Sequence, residues 1–282
     1  MPEILVTGAD GQLGRSLRER AGGNWHFAGR AELDVTDAEA VRRCTAERKI
    51  DLIVNCAAYT DVDRAEEEEA AADRINRQAA QNLAEAAAQR GAALIHISTD
   101  YVFPGTGDRP CREEDPTGPL CAYGRTKLAG ERAVAASGCR YLILRTSWLY
   151  SEFGSNFVKT ILRLAAERGT LRVVADQIGS PTCAGDLAGA IRFLAESGRF
   201  AGREGIYHYA NGGFCSRYDF AREIVRQAGL ACDVLPCRTG EFPQRARRPA
   251  CSALDTTKIE QTFGLAIPRW RDSLAACLEK LR

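Results

Sequence analysis

A tyrosine and a lysine spaced one helical turn apart are the residues of this sequence best suited to proton transfer. Tyr123 and Lys127 lie at the start of residues 122–137, a segment whose pattern predicts a helix, and residues at i and i+4 share one helix face. A free tyrosine has a pKa of about 10 and shuttles protons poorly near neutral pH. A neighbouring ammonium stabilises the phenolate, so we expect Lys127 to lower the pKa of Tyr123. The pair predicts a proton donor for carbonyl reduction; a tyrosine that only packs is the alternative.

Hydroxyl side chains come directly after a second predicted element. Residues 93–98 read as a buried strand, and Thr99 and Asp100 follow it. In open α/β sheets, ligands bind beyond the carboxyl ends of the strands. We therefore expect Thr99 to form a hydrogen bond with the substrate oxygen beside Tyr123.

A hydride source is indicated by three glycines near the amino terminus. Gly8, Gly11 and Gly14 follow the predicted strand 3–7 and open a predicted helix. Glycines there permit a tight turn and let backbone N–H groups approach a pyrophosphate at the positive end of the helix. The spacing Gly-x-x-Gly-x-x-Gly differs from the Gly-x-Gly-x-x-Gly of many dinucleotide enzymes. Its position predicts a nicotinamide cofactor, with a turn that needs glycine for steric reasons alone as the alternative.

The end of the second strand should distinguish NADPH from NADH. A carboxylate there holds the ribose 2′-hydroxyl of NADH, whereas an arginine accommodates the 2′-phosphate of NADPH. This sequence has Arg30 at that point and no acidic residue before Glu32. We therefore expect a preference for NADPH with NADH still possible, unless Arg30 is an ordinary surface residue.

These groups need a scaffold of alternating strands and helices, which the first half of the chain predicts. The strand predictions are residues 3–7, 51–57, 93–98 and 140–146, and the helix predictions are 12–21, 38–49, 64–90 and 122–137. Near-continuous apolar strands are typical of a parallel sheet covered on both faces. We expect an α/β fold, a Rossmann-type doubly wound parallel sheet with a smaller mixed α/β substrate-binding domain.

The pattern loosens after about residue 150, and this sets the predicted domain boundary. Residues 1–150 are expected to form the NAD(P)-binding domain and residues 151–282 the substrate-binding domain. Residues 186–210 are the open point, because this segment would also fit back into the main sheet.

Composition excludes several other classes of function. The chain has 282 residues and a formal net charge of +1, so no global field favours nucleic acid or an anionic membrane. No apolar run approaches the ~20 residues that span a bilayer, and the amino terminus lacks the features of a signal peptide. The eleven cysteines and three histidines are scattered without metal-ligand spacing. We expect a cytoplasmic enzyme with no metal, nucleic-acid or membrane partner.

A family resemblance narrows this expectation. Six stretches, residues 54–63, 98–105, 123–131, 145–150, 176–182 and 246–249, span nearly the whole chain. Together they resemble the dTDP-4-dehydrorhamnose reductase family, within the extended short-chain dehydrogenase/reductase superfamily. The resemblance implies NADPH-dependent reduction of the C4 ketone of dTDP-4-dehydro-β-L-rhamnose to dTDP-L-rhamnose, for rhamnose-containing cell-surface polysaccharide such as lipopolysaccharide.

The resemblance also implies roles for individual residues. Tyr123 would donate the proton, Lys127 would hold the nicotinamide ribose, and Thr99 would assist proton transfer. The implied cofactor contacts are Gly8, Gly11, Gln12, Leu13, Gly14, Arg30, Asp34, Val35, Ala57, Ala58, Tyr59, Tyr123 and Lys127. The implied substrate contacts are Thr99, Asp100, Tyr123, Trp148, Arg247 and Arg248. A packing role for Trp148 and a solvated surface for the two arginines are the alternatives.

One departure from the family pattern concerns metal and assembly. Some members form a dimer through magnesium held by glutamates. One of these glutamates falls where this chain has Ser16, and another falls near Gly185. Without those carboxylates the oxygen ligands that magnesium needs are missing. We expect no structural magnesium, and a monomer or a weak homodimer.

Fold alone does not fix the reaction, since the superfamily also contains epimerases and dehydratases. A dehydratase would carry an Asp-Glu pair after the strand-end threonine, and here Asp100 is followed by Tyr101. Another nucleotide-sugar reductase, an epimerase that retains its cofactor, or a non-catalytic NADP-binding regulatory subunit stays open at this point.

Overall fold

The computed structural model describes residues 1–199, 201–242 and 244–282. Its strands are β1 (Ile4–Thr7), β2 (Trp25–Ala28), β3 (Leu52–Asn55), β4 (Ala93–Thr99), β5 (Arg140–Thr146), β6 (Leu149–Tyr150), β7 (Thr170–Val174), β8 (Ile178–Gly179), β9 (Thr182–Cys183), β10 (Gly205–His208), β11 (Cys215–Ser216) and β12 (Asp233–Cys237). Its α-helices are α1 (Gln12–Arg18), α2 (Ala38–Glu47), α3 (Glu69–Asp73), α4 (Ala79–Arg90), α5 (Ala122–Ala136), α6 (Phe157–Glu167), α7 (Ala184–Ser197), α8 (Arg217–Ala228), α9 (Thr257–Phe263) and α10 (Trp270–Glu279).

Six of the described strands form one sheet in the order β10-β5-β4-β3-β1-β2. Every neighbouring pair in it is parallel. Alternate residues of the strands enter two separate apolar clusters: Ile4 and Val6 of β1 pack on one face, and Leu5 packs on the other. Both faces are therefore buried, which explains the near-continuous apolar runs and confirms the predicted doubly wound α/β fold.

The sheet is completed by a strand from the second half of the chain. β10 lies beside β5, with Gly205 opposite Leu142 and His208 opposite Arg145. Helix α7, which precedes β10, contributes Leu187, Ile191 and Leu194 to the same apolar cluster as β1. Helix α7 and strand β10 thus belong to the main sheet layer, although they follow residue 150.

A smaller mixed layer is built around Phe220 of α8. Helices α6, α8 and α10 share an apolar cluster with β7, and β7 pairs in parallel with β12. The Phe220 ring lies 6.4 Å from Trp148, 5.7 Å from Phe157 and 5.6 Å from Trp270, measured between ring centroids. Through Trp148, this aromatic cluster connects the loop that follows β5 with the helices of the smaller layer.

The predicted helix 64–90 is interrupted where it meets α5. A 3₁₀ turn (Arg64–Glu66) precedes α3, and a π-helical turn (Arg74–Gln78) connects α3 with α4. Asn76 in that turn is buried, accepts a hydrogen bond from the Tyr59 backbone N–H and donates one to the Thr126 hydroxyl. A Cβ on Gly130 would lie 2.1 Å from the Asn76 carbonyl oxygen. The π-helical turn thus coincides with the close packing of Asn76 on α5.

Among the described residues, none of the helices combines the length and the apolar character that crossing a membrane requires.

Candidate active site

A cavity of about 560 Å³ opens at the carboxyl ends of the central strands. This is the place where open parallel sheets bind ligands, and the volume is typical of a small-molecule site. Predicted site residues that line it are Gly8, Gly11, Gln12, Leu13, Gly14, Ala58, Thr99, Asp100, Tyr123, Lys127 and Trp148. Predicted residues outside its lining are Arg30, Asp34, Val35, Ala57, Tyr59, Arg247 and Arg248.

The glycine loop forms one wall of the cavity. Gly8 has φ +65°, and a Cβ there would lie 2.5 Å from the Ala57 backbone nitrogen, so only glycine lets β1 and the β3 loop approach so closely. A Cβ on Gly14 would lie 2.5 Å from the Gly8 carbonyl oxygen. Gly11 is the N-cap residue of α1 and has no side chain to cap the helix. The first N–H groups of α1 thus face the cavity and fit the pyrophosphate of a dinucleotide.

Tyr123 and Thr99 meet at the floor of the cavity. Burial raises the pKa of the Tyr123 phenol above its ordinary value, and a hydrogen-bonding interaction with the Thr99 side chain partly opposes this shift. The direction is opposite to the one expected from the proximity of Lys127, because burial of the phenol dominates, the charge of Asp100 raises the pKa further, and Lys127 is not among the groups that shift it. The phenol therefore holds its proton at neutral pH and is able to donate it.

The Lys127 ammonium is held by strand β4 of the central sheet. Its Nζ donates to the Ile97 carbonyl oxygen at 2.6 Å, and the side chain is 2% exposed. Burial lowers the pKa of Lys127 to about 8, while the carboxylate of Glu131 acts in the opposite direction. Glu131 itself forms a buried bidentate ion pair with Arg145 of β5, with N–O distances of 2.9 and 2.7 Å.

Asp100 is a second buried acid beside the reacting centre. One carboxylate oxygen accepts a hydrogen bond from Ser252, and the other accepts one from Thr99 at 3.1 Å. Burial raises the pKa of Asp100 to about 6, against these stabilising hydrogen bonds. Ser252 comes from the loop after Arg248, so this contact also ties the smaller layer to β4.

Trp148 lines the cavity in a strained backbone conformation. Its φ is +46°, a region that a bulky side chain adopts only when its surroundings hold it there. A Cβ on Gly179 would lie 2.4 Å from the indole. The absence of a side chain at Gly179 is therefore what leaves room for the Trp148 ring.

Arg217 is a cavity residue that the sequence analysis missed. It is the first residue of α8, and its guanidinium carbon lies 3.7 Å above the Trp148 ring. The available signal was local: Ser216 and Asp219 form a capping box, which marks Arg217 as the start of a helix. A basic residue at the amino-terminal end of a helix opposes the helix dipole, and such a departure from local preference is typical of functional sites.

Three of the predicted arginines lie outside the lining of the cavity. Arg30 is exposed; hydrogen bonds from Thr36 lower the pKa of Asp34, and the charges of Arg30 and Arg74 add to this shift. Arg247 is exposed, whereas Arg248 forms a bidentate pair with Asp63 at 2.8 and 3.2 Å.

An arginine lies beside Ser16 and Gly185, the positions at or near which the resemblance implies magnesium-binding glutamates in some family members. Arg20 Nη1 donates to the Ser16 carbonyl oxygen at 3.2 Å, and its Nη2 lies 3.1 Å from where a Cβ of Gly185 would be. A guanidinium thus lies between the two positions. Within residues 1–199, 201–242 and 244–282 no cluster of three potential metal-ligating side chains occurs.

Comparison with known proteins gives a consistent family. The family model described as RmlD substrate binding domain matches residues 2–282. The dTDP-4-dehydrorhamnose reductase of Aggregatibacter actinomycetemcomitans is 43% identical, covering 97% of each chain. A probable dTDP-4,6-dihydroxy-2-methyloxan-3-one 4-ketoreductase of Streptomyces antibioticus is 45% identical, covering 96% of this chain and 92% of its own.

The fold agrees with that of a solved relative. The crystal structure of dTDP-4-dehydrorhamnose reductase from Bacillus anthracis, in complex with NADP, has a TM-score of 0.94 to this chain. The two are 39% identical, and the match covers 99% of this chain and all of the other.

Proposed function

The chain belongs to the dTDP-4-dehydrorhamnose reductase family, and we propose that Tyr123, Thr99 and Lys127 carry out the family's reaction in this chain. That reaction is the NADPH-dependent reduction of the C4 ketone of dTDP-4-dehydro-β-L-rhamnose, which gives dTDP-L-rhamnose. The observation that carries the assignment is that the three side chains line one cavity together with the glycine loop.

The cofactor side of the cavity suits NADPH, with NADH also possible. The uncapped amino terminus of α1 offers N–H groups to the pyrophosphate, and Arg30, exposed at the end of β2, would face the 2′-phosphate. The nicotinamide, when bound, supplies the hydride. Lys127 would donate to the nicotinamide ribose, and Ala57, Ala58 and Tyr59 would border the cofactor, with Asp34 and Val35 near its adenine.

Proton transfer is assigned to the Tyr123 phenol. Its raised pKa keeps the proton on the hydroxyl until the substrate oxygen gains negative charge. The Thr99 hydroxyl, which donates to Asp100 in this structure, would rotate to donate a second hydrogen bond to that oxygen. The Lys127 ammonium would stabilise the phenolate that remains. The proton thus moves from Tyr123 Oη to the C4 oxygen as the hydride arrives at C4.

The substrate side is assigned to Asp100 and Trp148, which border the position of the sugar. Contacts of Arg247 and Arg248 with the diphosphate stay a prediction. Substitution of either by alanine should raise the substrate KM. A diphosphate that binds Arg248 would compete with the Asp63 carboxylate, with which Arg248 forms an ion pair.

Residues 1–150 with the returning segment 184–208 form our proposed cofactor-binding domain, and the remainder forms the substrate-binding domain. We place the reaction in the cytoplasm and its product in cell-surface polysaccharide. All eleven cysteines are free thiols, which suits a reducing compartment.

The decisive experiment supplies purified protein with dTDP-4-dehydro-6-deoxyglucose, its 3,5-epimerase and NADPH. Loss of NADPH absorbance and formation of dTDP-L-rhamnose are expected. Tyr123→Phe should lower kcat by roughly 10²–10⁴-fold, whereas Tyr141→Phe, in β5 away from the cavity, should leave it unchanged. Equal rates for wild type and Tyr123→Phe, or no reductive turnover, would contradict the assignment.

Two further arms separate the alternatives. The Streptomyces antibioticus relative favours testing a second dTDP-linked 4-keto sugar in parallel. An epimerase would retain nicotinamide cofactor through gel filtration and need none added, and a regulatory subunit would bind NADPH without turning over either sugar.

A further inference from the structure

Arg217 combines three features that each cost stability in the free protein. It is the first residue of α8, where a cation opposes the helix dipole. Its side chain is half-buried at the cavity, and this burial lowers its pKa because it removes part of the water around the charge. Among the described residues, no carboxylate lies within salt-bridge distance of it, while other arginines of the smaller layer, such as Arg226, are paired with an acid. An unpaired arginine in such a place suggests that its charge serves to bind an anion.

The surroundings hold the Arg217 guanidinium in one position. It stacks on the Trp148 indole at 3.7 Å and on the Phe157 ring at 5.1 Å, measured from the guanidinium carbon to the ring centroid. Trp148 is in turn fixed by its left-handed backbone and by Gly179 behind its ring. A guanidinium over an aromatic ring is held by cation–π attraction, and its N–H groups are still able to contact an anion.

The charges that face Arg217 leave room for an anionic ligand. Asp100 and the Tyr101 hydroxyl favour its charged form, while Arg248 disfavours it. Asp100 is already engaged by Ser252 and Thr99, and Arg248 by Asp63. Among the described residues, Arg217 thus has no carboxylate paired with it, and it borders the same cavity as Tyr123 and Thr99.

We propose that Arg217 binds the diphosphate of the nucleotide-sugar substrate and so sets the substrate's orientation over Tyr123. The assignment rests on the proposed function, because a dTDP-linked sugar carries its negative charge on that group. The cofactor's pyrophosphate is assigned to the glycine loop at the start of α1, whereas Arg217 lies at the start of α8, so Arg217 is left for the second diphosphate. A planar guanidinium suits phosphate oxygens, which it contacts with two parallel N–H groups.

The test measures binding without requiring turnover, so that it stands apart from the test of function. Calorimetry with the NADPH-saturated protein would give Kd values for thymidine, dTMP and dTDP. In wild type, affinity should rise with each phosphate. Arg217→Gln should weaken dTDP binding by roughly 10- to 100-fold and thymidine binding by less than about threefold. Arg222→Gln, an exposed arginine of the same helix, is the matched control and should bind all three ligands as wild type does.

Several outcomes would overturn the assignment. It fails if Arg217→Gln binds dTDP as tightly as wild type, or if thymidine and dTDP weaken equally, since a packing role would have that effect. If Arg217→Gln loses NADPH affinity and is misfolded, Arg217→Lys decides instead. This variant keeps a charge but no planar fork, so dTDP should weaken more than thymidine; unchanged dTDP affinity contradicts the proposal. If the protein turns over the dTDP-sugar but Arg217→Gln binds dTDP normally, only this inference is rejected. If dTDP binding depends on Arg217 but the protein does not turn over the sugar, only the proposed function is rejected.

Discussion

Burial moves the pKa values of the two central groups in opposite directions. It raises that of the Tyr123 phenol, because a buried phenolate is poorly solvated, and lowers that of the Lys127 ammonium to about 8 for the same reason. At neutral pH both groups therefore carry a proton, but Lys127 is close to losing its own. The residue that limits activity at alkaline pH is thus expected to be the lysine rather than the tyrosine.

NADPH affinity should fall as pH rises through about 8, since Lys127 loses the charge and the hydrogen-bond donor that hold the ribose. Stability should respond in the opposite way. With the folded pKa below the unfolded value, the unfolded chain binds more protons between about pH 8 and pH 10, so the free energy of unfolding gains a rising contribution there. Fluorescence titration of NADPH and denaturant unfolding from pH 6.5 to 9.5 would measure both trends.

Lys127→Arg separates this group from other alkaline titrations. A guanidinium stays charged throughout that range, so the variant, where it folds and binds NADPH, should show no decline in affinity near pH 8. The same decline in wild type and variant would assign it to another residue.

At the scale of elements, α5 is attached to the sheet by charge as well as by apolar packing. Glu131 of α5 is paired with Arg145 of β5, and both side chains are 3% exposed. The Ser98 hydroxyl of β4 donates to the same carboxylate. Since Tyr123, Lys127 and Glu131 follow at four-residue intervals, this contact fixes the helix face that carries the proposed catalytic pair.

Glu131→Gln should destabilise the protein by about 3–5 kcal/mol, because it leaves the Arg145 charge buried without its partner. It should also shift the alkaline loss of NADPH affinity to lower pH, because Glu131 holds the pKa of Lys127 up. Glu167→Gln breaks an exposed pair with Arg163 and should cost less than about 1 kcal/mol. Equal destabilisation of the two variants would show that the buried pair does not anchor α5.

Gly179→Ala should displace Trp148 and weaken substrate binding, since the new methyl group would overlap the indole. We expect the substrate KM to rise by roughly 10-fold or more, with the KM for NADPH unchanged. Gly189→Ala, in the middle of α7, meets no described atom within 4 Å and should instead stabilise the protein by about 0.5–1 kcal/mol. Steady-state kinetics of both variants would decide, and an unaltered substrate KM in Gly179→Ala would reject a binding role for Trp148.

At the scale of the whole molecule, local patterns predicted the parallel sheet, because its strands are apolar on both faces. The position of β10 beside β5 was left open, since hydrophobic pattern identifies a strand but not its neighbour. Arg217 was missed for a similar reason: only the fold brings the start of α8 to Trp148, about seventy positions earlier in the chain. The glycine loop and Tyr123–Lys127 were predictable because each is a contiguous motif on one element.

Assembly through a metal ion is the last property that belongs to the whole molecule. Arg20 lies between Ser16 and Gly185, and its guanidinium would repel a magnesium ion from these two positions, neither of which carries a carboxylate. We expect a monomer or weak dimer whose sedimentation coefficient is the same in magnesium and in EDTA. A variant with Ser16→Glu, Arg20→Ala and Gly185→Glu restores acidic ligands and removes the cation, and should acquire magnesium-dependent association where wild type has none. Dissociation of a stable wild-type dimer by EDTA would contradict the prediction, because it would require a metal bound by residues other than these.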